Sequence, residues 1–464
     1  MRLLGACAVG GGTLALVAMA CGDGGDGGAP APGPENDAGP PDVAAPIADG
    51  GGEVDAAEAG GPAGPITIRT STPSAPFSRG GPRDATWAAY VDDTGAWVRL
   101  EPKTDDGGAE PGRYEIAATT KPSYTVAFAC ANERRSLVTV LTRESSVTEL
   151  DVTLAAQCGS DDRVTTNLAG TFSNIPTATG WLDFGYALGG RGSIFITAGG
   201  AGDYELVNLV AGTWDLAFGL REDAVAPLTR IAFARDAALA ADSSTLNLDF
   251  TDAGATPVPK KISLTGLANE QTHITVQYTF GGATSGLEVG PGDDPFGVAS
   301  AEVTYASVPA ASQRPADRYR IAATTVEDEL EARGASIDLH DAVDVALELP
   351  PALEAPTSSV EGKLVAATLA PRAGAAVYEA NVFTRVTNQS SREWRVSISA
   401  ALVTGTEIEL VPPDLSAVAG FDATWLTPLE IERTVTAKAY ERPATVGDGT
   451  LHRYASKSIL VTPE

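Results

Sequence analysis

Histidine, cysteine, methionine and lysine are all scarce in this chain of 464 residues. The three histidines, His273, His340 and His452, stand far apart, no two have metal-ligand spacing such as HExxH, and no CxxC occurs. A His/Cys metal centre needs such clustering, so none is assigned. GxSxG is missing as well, and with it the strained elbow that presents a hydrolase serine. Lysine contributes seven residues against 25 arginines, and both methionines, Met1 and Met19, lie within the first 21 residues. Together with abundant Ala and Gly this points to a GC-rich genome. Positive charge is in deficit overall, with 32 Lys and Arg against 60 Asp and Glu, a net charge of −28. Such a surface repels phosphate backbones and anionic lipid heads, which excludes nucleic acid as the expected partner.

Long apolar runs are lacking, with one exception: Leu3 to Ala20, preceded by the single basic residue Arg2 and ended by Cys21. Gly10, Gly11 and Gly12 interrupt it and no charged stop-transfer flank follows, so it reads as an export signal rather than a spanning helix. Within it, Val17-Ala18-Met19-Ala20-Cys21 resembles a bacterial lipobox. The resemblance implies a lipoprotein: residues 1–20 are a signal peptide and Cys21 is acylated as the mature N-terminus. Ala18-Met19-Ala20 also fits the small-x-small cleavage rule of an ordinary secretory signal. Cysteine parity favours lipidation, because cleavage leaves Cys21, Cys130 and Cys158, an odd number for an oxidising compartment. The expected location is the bacterial cell envelope, with the membrane as partner through the lipid anchor. Gly22, where enteric sorting rules place aspartate to retain lipoproteins in the inner membrane, implies the outer membrane by that resemblance.

Residues 21–64 form a Gly/Pro/Asp/Ala segment with nine acidic residues, no Lys or Arg and no aromatic. It buries too little apolar surface to offset its ordering entropy and reads as a disordered linker. As a flexible chain it spans roughly 35–40 Å, more with its prolines and like charges. The remaining 400 or so residues exceed a single core and suit several domains.

No convincing amphipathic helix appears in them; ordered stretches alternate apolar and polar residues between Gly, Pro, Asn and Asp, which makes the chain all-β. Tyr378, Ala380, Val382, Thr384 and Val386, then Trp394, Val396, Ile398 and Ala400 after a polar turn, predict a hairpin with one buried face. A module recurs: Gly112-Arg-Tyr114-Glu-Ile116-Ala117, Gly212-Thr-Trp214-Asp-Leu216-Ala217 and Asp317-Arg-Tyr319-Arg-Ile321-Ala322. Each is followed by a strand of matching phase, at Leu150 to Leu154, Leu246 to Phe250 and Val345 to Leu349. This predicts tandem antiparallel β-sandwich domains over 65–159, 160–255 and 256–352, and a divergent fourth over 353–464 that lacks the signature. The glycine turn followed by an aromatic-alternating strand is similar to Ig-like and carboxypeptidase regulatory-like extracellular modules, a likeness of architecture. Cys130 and Cys158 each end a predicted strand, and a disulfide is their natural reading, two buried free thiols the alternative.

Chemistry is sparse. Ser336-Ile-Asp338-Leu-His340-Asp341 crowds a hydroxyl, carboxylates and an imidazole, yet on a strand, away from any exposed turn with an oxyanion hole, it reads as surface residues. Asp92-Asp93, Asp105-Asp106 and Asp293-Asp294 offer calcium-type oxygens. None follows the D-x-D-x-D-G order, and turns favour Asp and Gly in any case. The tryptophans Trp87, Trp97, Trp181, Trp214, Trp394 and Trp425 read mostly as core, with Trp97 the most exposed; a coplanar exposed row would mark a sugar platform. No catalytic residue, metal ligand or cofactor is assigned, and the ligand-binding residues stay unknown. The expected function is a non-enzymatic, lipid-anchored binding, adhesion or spacing module with an envelope protein or glycan as partner. The alternative is an extracellular polysaccharide-acting hydrolase or carbohydrate-binding protein.

Overall fold

The computed structural model describes residues 64–72, 81–105, 108–155, 158, 165–175, 180–186, 191–196, 200–222, 226–250, 257–267, 271–281, 286–291, 302–327, 330–361, 364–446 and 449–462. The expected signal peptide, Cys21 and nearly all of the expected linker lie outside them. Among the described residues the regular elements are strands and short 3-10 turns, the all-β class expected from period-two alternation.

The first module contains β1 (Ile66–Thr72), β2 (Gly81–Pro82), β3 (Trp87–Val91), β4 (Trp97–Arg99), β5 (Thr104–Asp105), β6 (Gly108–Ala109), β7 (Arg113–Ile116), β8 (Ser123–Ala131), β9 (Arg135–Glu144) and β10 (Glu149–Thr153). One sheet is β7–β1–β10, with β2 also on β1, and the facing strands run β4–β3–β8–β9. The second module contains β11 (Thr165–Ile175), β12 (Gly180–Tyr186), β13 (Arg191–Ile196), β14 (Gly200–Val210), β15 (Gly212–Arg221), β16 (Arg230–Leu239), β17 (Ser243–Thr245) and β18 (Leu248–Asp249). Its sheets are β14–β11, with β17 and β18 on β11, and β13–β12–β15–β16. The third contains β19 (Val258–Thr265), β20 (Gln271–Thr279), β21 (Gly286–Glu288), β22 (Glu302–Ser307), β23 (Arg318–Glu327), β24 (Glu331–Leu339) and β25 (Val345–Glu348), arranged as β22–β19–β25 and β21–β20–β23–β24. In all three the first strand lies beside the module's last strand and parallel to it.

The fourth module solves the same problem differently. It contains β26 (Thr357–Glu361), β27 (Leu364–Leu369), β28 (Ala375–Thr387), β29 (Ser390–Ser399), β30 (Ile408–Leu410), β31 (Arg433–Glu441), β32 (Ala444–Val446) and β33 (Gly449–Val461). Here β26, which precedes β27 and runs antiparallel to it, fills the position beside the first core strand. The chain's last strand, β33, is thereby free for the other sheet. The predicted hairpin is β28–β29, with Val382 opposite Trp394 and Ala380 opposite Val396 on the buried face, and its strands run further into the turn than the alternation indicated.

One expectation is corrected. The three copies of the aromatic signature are not equivalent: the first lies on β7, in the sheet with β1, whereas the second and third lie on β15 and β23, in the opposite sheets. An aromatic and an aliphatic two residues apart report only that a strand faces a core, and both sheets do so. The matching later strands, on β10, β18 and β25, are equivalent.

The modules are not separate beads. Strand β24 pairs antiparallel with β33 over seven residue pairs, Glu331 with Lys457 through Ile337 with Leu451. Strand β29 pairs parallel with β9 over eight, Ser391 with Arg135 through Ile398 with Thr142. The result is one 13-stranded sheet, β21–β20–β23–β24–β33–β31–β28–β29–β9–β8–β3–β4 with β32 on β33, shared by modules three, four and one. Its two faces are used alternately. Val126, Phe128, Cys130 and Leu141 belong to the core of module one. Ala127, Ala129, Val138 and Val140, on the other face of the same strands, join the core of module four. This is why β8 is nearly continuously apolar instead of alternating.

Module two lies outside this sheet and is fastened to module three by three arginines, Arg221, Arg235 and Arg314, the last pairing with Asp215 at 3.3 Å and Asp236 at 2.7 Å. Arg221, 1% exposed, pairs with Asp183 and donates from Nη1 to the carbonyls of Ala226 (2.7 Å) and Gly290 (2.9 Å), and from Nη2 to that of Glu288 (2.9 Å). Arg235 donates to Asp215 (3.1 Å) and Asp317 (2.7 Å) and stacks over Phe233 and Phe280. Tyr278 donates its hydroxyl to the same Asp317 carboxylate at 2.6 Å. Between the sheets, a Cβ on Gly185 would fall 2.4 Å from the backbone of Gly286 and Leu287, so only glycine permits the approach.

Burial pushes the Asp317 pKa up, but hydrogen bonds from Tyr278, the Arg314 amide and Arg235 outweigh it and hold the carboxyl below its usual range. A carboxyl depressed in the folded chain contributes its full stability above the unfolded value, about pH 4, and loses it as pH falls through the lower folded value. Asp317→Asn is expected to cost about 3 kcal/mol at neutral pH, because it uncouples a buried pair. It should also flatten the acid limb of Tm against pH below about 4, where the wild type falls steeply. Parallel acid limbs for the two proteins would contradict this role.

Candidate functional site

On modules three and four the second face of the shared sheet is polar and half-buried. Alternation along β20, β23, β24, β33, β31, β28 and β29 places His273, Thr324, Ser336, His452, Tyr454, Ser456, Lys438, Tyr440, Glu379 and Arg395 on that face. Tyr454 lies over Gly334, where a Cβ would come within 2.2 Å of the ring, and packs against Tyr440 with centroids 6.1 Å apart. Glu379 is only 3% exposed, with Arg395 Nε at 3.7 Å and Lys438 Nζ at 3.9 Å. Arg395 also donates to Glu393 at 3.2 Å, and Asn381 donates to the same carboxylate at 2.8 Å. Where module one abuts this face, Arg143 donates to the Ser397 hydroxyl at 3.1 Å.

Burial pushes the phenols of Tyr440 and Tyr454 above their ordinary value, so they remain neutral donors. Burial lowers the pKa of His452, leaving the imidazole neutral at physiological pH. Arg320 holds Asp338 through two 3.0 Å contacts, so that carboxylate is already engaged. This face carries hydroxyls, an amide, phenols and compensated ion pairs.

The crowded serine–aspartate–histidine stretch does not assemble into a triad. Ser336 stands opposite His452, not His340. His340 Nδ1 lies 3.1 Å from the Asp317 carbonyl and 3.3 Å from Arg318 Nη1, beyond the end of β24. Strand β24 is paired on both sides, with β23 and β33, so its amides are committed to ladders and not to an oxyanion.

The aromatic residues converge at another place, which single positions in the sequence did not reveal. Trp87, Trp97, Trp394 and Trp425, four of the six tryptophans, meet at the junction of modules one and four together with Phe421. The connection between β30 and β31 folds over them, and Trp87 donates its indole N–H to the Ala419 carbonyl at 3.1 Å. Ring planes cross at 72° for Trp87 with Phe421 and 79° for Phe421 with Trp425. Crossed rings are packed edge to face and do not form the coplanar row that stacks on sugars. Trp97, read as exposed, is half-buried against this cluster.

The acidic pairs resolve into turn closures where they are described. Asp92 accepts from the Thr94 amide and hydroxyl and the Ala96 amide, and Asp93 from Thr119 and Thr120. These hydrogen bonds, from Thr94 and Thr119 above all, lower both carboxyl pKa values. Asp106 and Asp293-Asp294 lie outside the described residues, among which no group of three or more His, Cys, Asp or Glu is placed to hold a metal. Carboxylates already saturated by local donors bind calcium poorly. Chelation with EDTA is expected to leave Tm within about 1 °C of its untreated value, well under the shift that 1 kcal/mol produces. A drop of several degrees, restored by calcium, would contradict this.

No protein-family model and no curated protein matches the chain. Similar solved structures include a protein from Bacteroides uniformis provisionally assigned as carbohydrate-binding, 10% identical, covering 64% of this chain and 98% of that one at a TM-score of 0.14. Another is the FN1–FN3 portion of chicken CNTN1, 10% identical, covering 83% of this chain and 100% of that one at a TM-score of 0.15. At such scores neither likeness bears on function.

Proposed function

We propose that this chain is a lipid-anchored protein of the bacterial cell envelope whose β-sandwich array is a non-enzymatic binding, adhesion or spacing module. The observation that carries the reading is the shared sheet: backbone ladders join modules one, three and four in one plate with a broad, half-buried polar face. A plate of this kind holds many weak contacts in fixed register, which is what adhesion and spacing require and what a single active-site cleft does not. The lipobox-like Val17 to Cys21 and the acidic linker supply the anchor and the reach. The partner meeting the face around Tyr440 and Tyr454 is an envelope protein or a glycan, since the net charge of −28 disfavours polyanions.

The anchor is tested by mass spectrometry of the mature N-terminal peptide and by fractionation. An acylated Cys21, with Cys21→Ala shifting the protein from the membrane to the soluble fraction, is the expected result. An unmodified Cys21 in a soluble mature protein would remove the anchored reading. Protease shaving of intact cells then separates surface adhesion from a sheltered periplasmic role.

A further inference from the structure

The disulfide Cys130–Cys158 closes a loop over a sequence separation of 28, with Cα atoms 4.9 Å apart. That loop contains the whole of β9, the strand on which module four is docked in parallel register. It also supplies side-chain and backbone contacts across the junction. The Arg134 carbonyl accepts from the Ser391 amide at 3.0 Å and from Arg392 Nη1 at 3.1 Å. Ser136 donates to the Trp425 carbonyl at 3.3 Å, and Arg143 to the Ser397 hydroxyl at 3.1 Å. Ser399 donates to Glu144 at 2.7 Å. The opposite junction, β24 with β33, contains no residue of this loop.

We propose that the Cys130–Cys158 bridge is a redox-sensitive latch on the junction between modules one and four. With the bridge intact, any opening of β9 leaves a loop pinned at both ends, which gains little entropy. Once the bridge is broken, the covalent tie between β8 and the segment after β10 is lost, so opening becomes more favourable. Cys158 is the partly exposed sulfur, whereas Cys130 is 2% exposed. The reductant is therefore a dithiol whose thiolate attacks Cys158 Sγ. The S–S bond breaks and Cys130 leaves as the thiolate. The reductant's second thiol then resolves the mixed disulfide, so two electrons pass to the bridge, two protein thiols result, and the dithiol becomes a disulfide. Opening the latch would uncover the aromatic cluster and the unpaired edges of β9 and β29.

The test is hydrogen exchange on the full chain after native folding, oxidised and then treated with excess dithiothreitol, read by peptide mass. Amides of β9 and β29 are expected to exchange at least about tenfold faster after reduction, with β24 and β33 unchanged. Tryptophan emission should shift to the red, since four tryptophans lie at this junction, and reoxidation should restore both. Cys130→Ala/Cys158→Ala is expected to reproduce the reduced pattern, and the reduced wild type decides the matter if that variant does not fold. Unchanged exchange at β9 and β29, equal acceleration at β24 and β33, or a bridge that the dithiol leaves oxidised would each overturn the latch.

Discussion

The architecture depends on backbone pairing at strand edges. A sandwich module ends in open edges whose amides and carbonyls demand partners, and most proteins blunt them with charge, bulges or covering loops. Here β24 and β9 meet edges of module four instead, through ladders of seven and eight residue pairs. Everything else about the arrangement follows from that choice. Module four must lie between modules that precede it by one and by three places in the chain, and the sheet must carry cores on both of its faces.

The departure of module four from its siblings is part of the same constraint. In modules one to three the last strand lies parallel to the first and is unavailable for contacts through the other sheet. Because β26 takes that position in module four, β33 is left as a 13-residue strand that pairs with β24 over Leu451 to Lys457 and with β31 over Tyr454 to Val461. Lys457, on β33, reaches Glu331 across the seam at 2.6 Å, and Ser456 donates to the Ala332 carbonyl. On the other side, the connection from β30 to β31 lays Phe421 and Trp425 against Trp87 and Trp394. The edges supply direction and register, and the aromatic cover supplies burial.

Local features were legible in the sequence because they are set by period and parity. Alternation gave the hairpin around Val382 and Trp394, and the all-β class with it. The placing of Cys130 and Cys158 at predicted strand ends anticipated the bridge that the structure contains, although β10 stops at Thr153, short of Cys158. The shared sheet was not legible, since strand-edge pairing is made by the backbone and leaves little side-chain signature. A trace existed in β8, where Val126 to Cys130 is buried on both faces, an oddity for the solvent-facing strand of an isolated sandwich. The equivalence of the aromatic signatures was misleading for a related reason, because Tyr114 and Tyr319 face their cores from opposite sheets. The polar face could not be foreseen either. Glu379, Arg395, Lys438, Tyr440 and Tyr454 come together only through cross-strand register, which one-dimensional spacing does not encode.

Module four holds modules one and three rigidly with respect to each other. The most direct test is pulsed electron resonance between spin labels at Arg69 on β1 and Lys261 on β19, both exposed, in the otherwise unmodified mature chain with Cys21 replaced. A single narrow distance distribution is expected. A broad or multimodal distribution, of the kind separate sandwiches on flexible connections give, would contradict it.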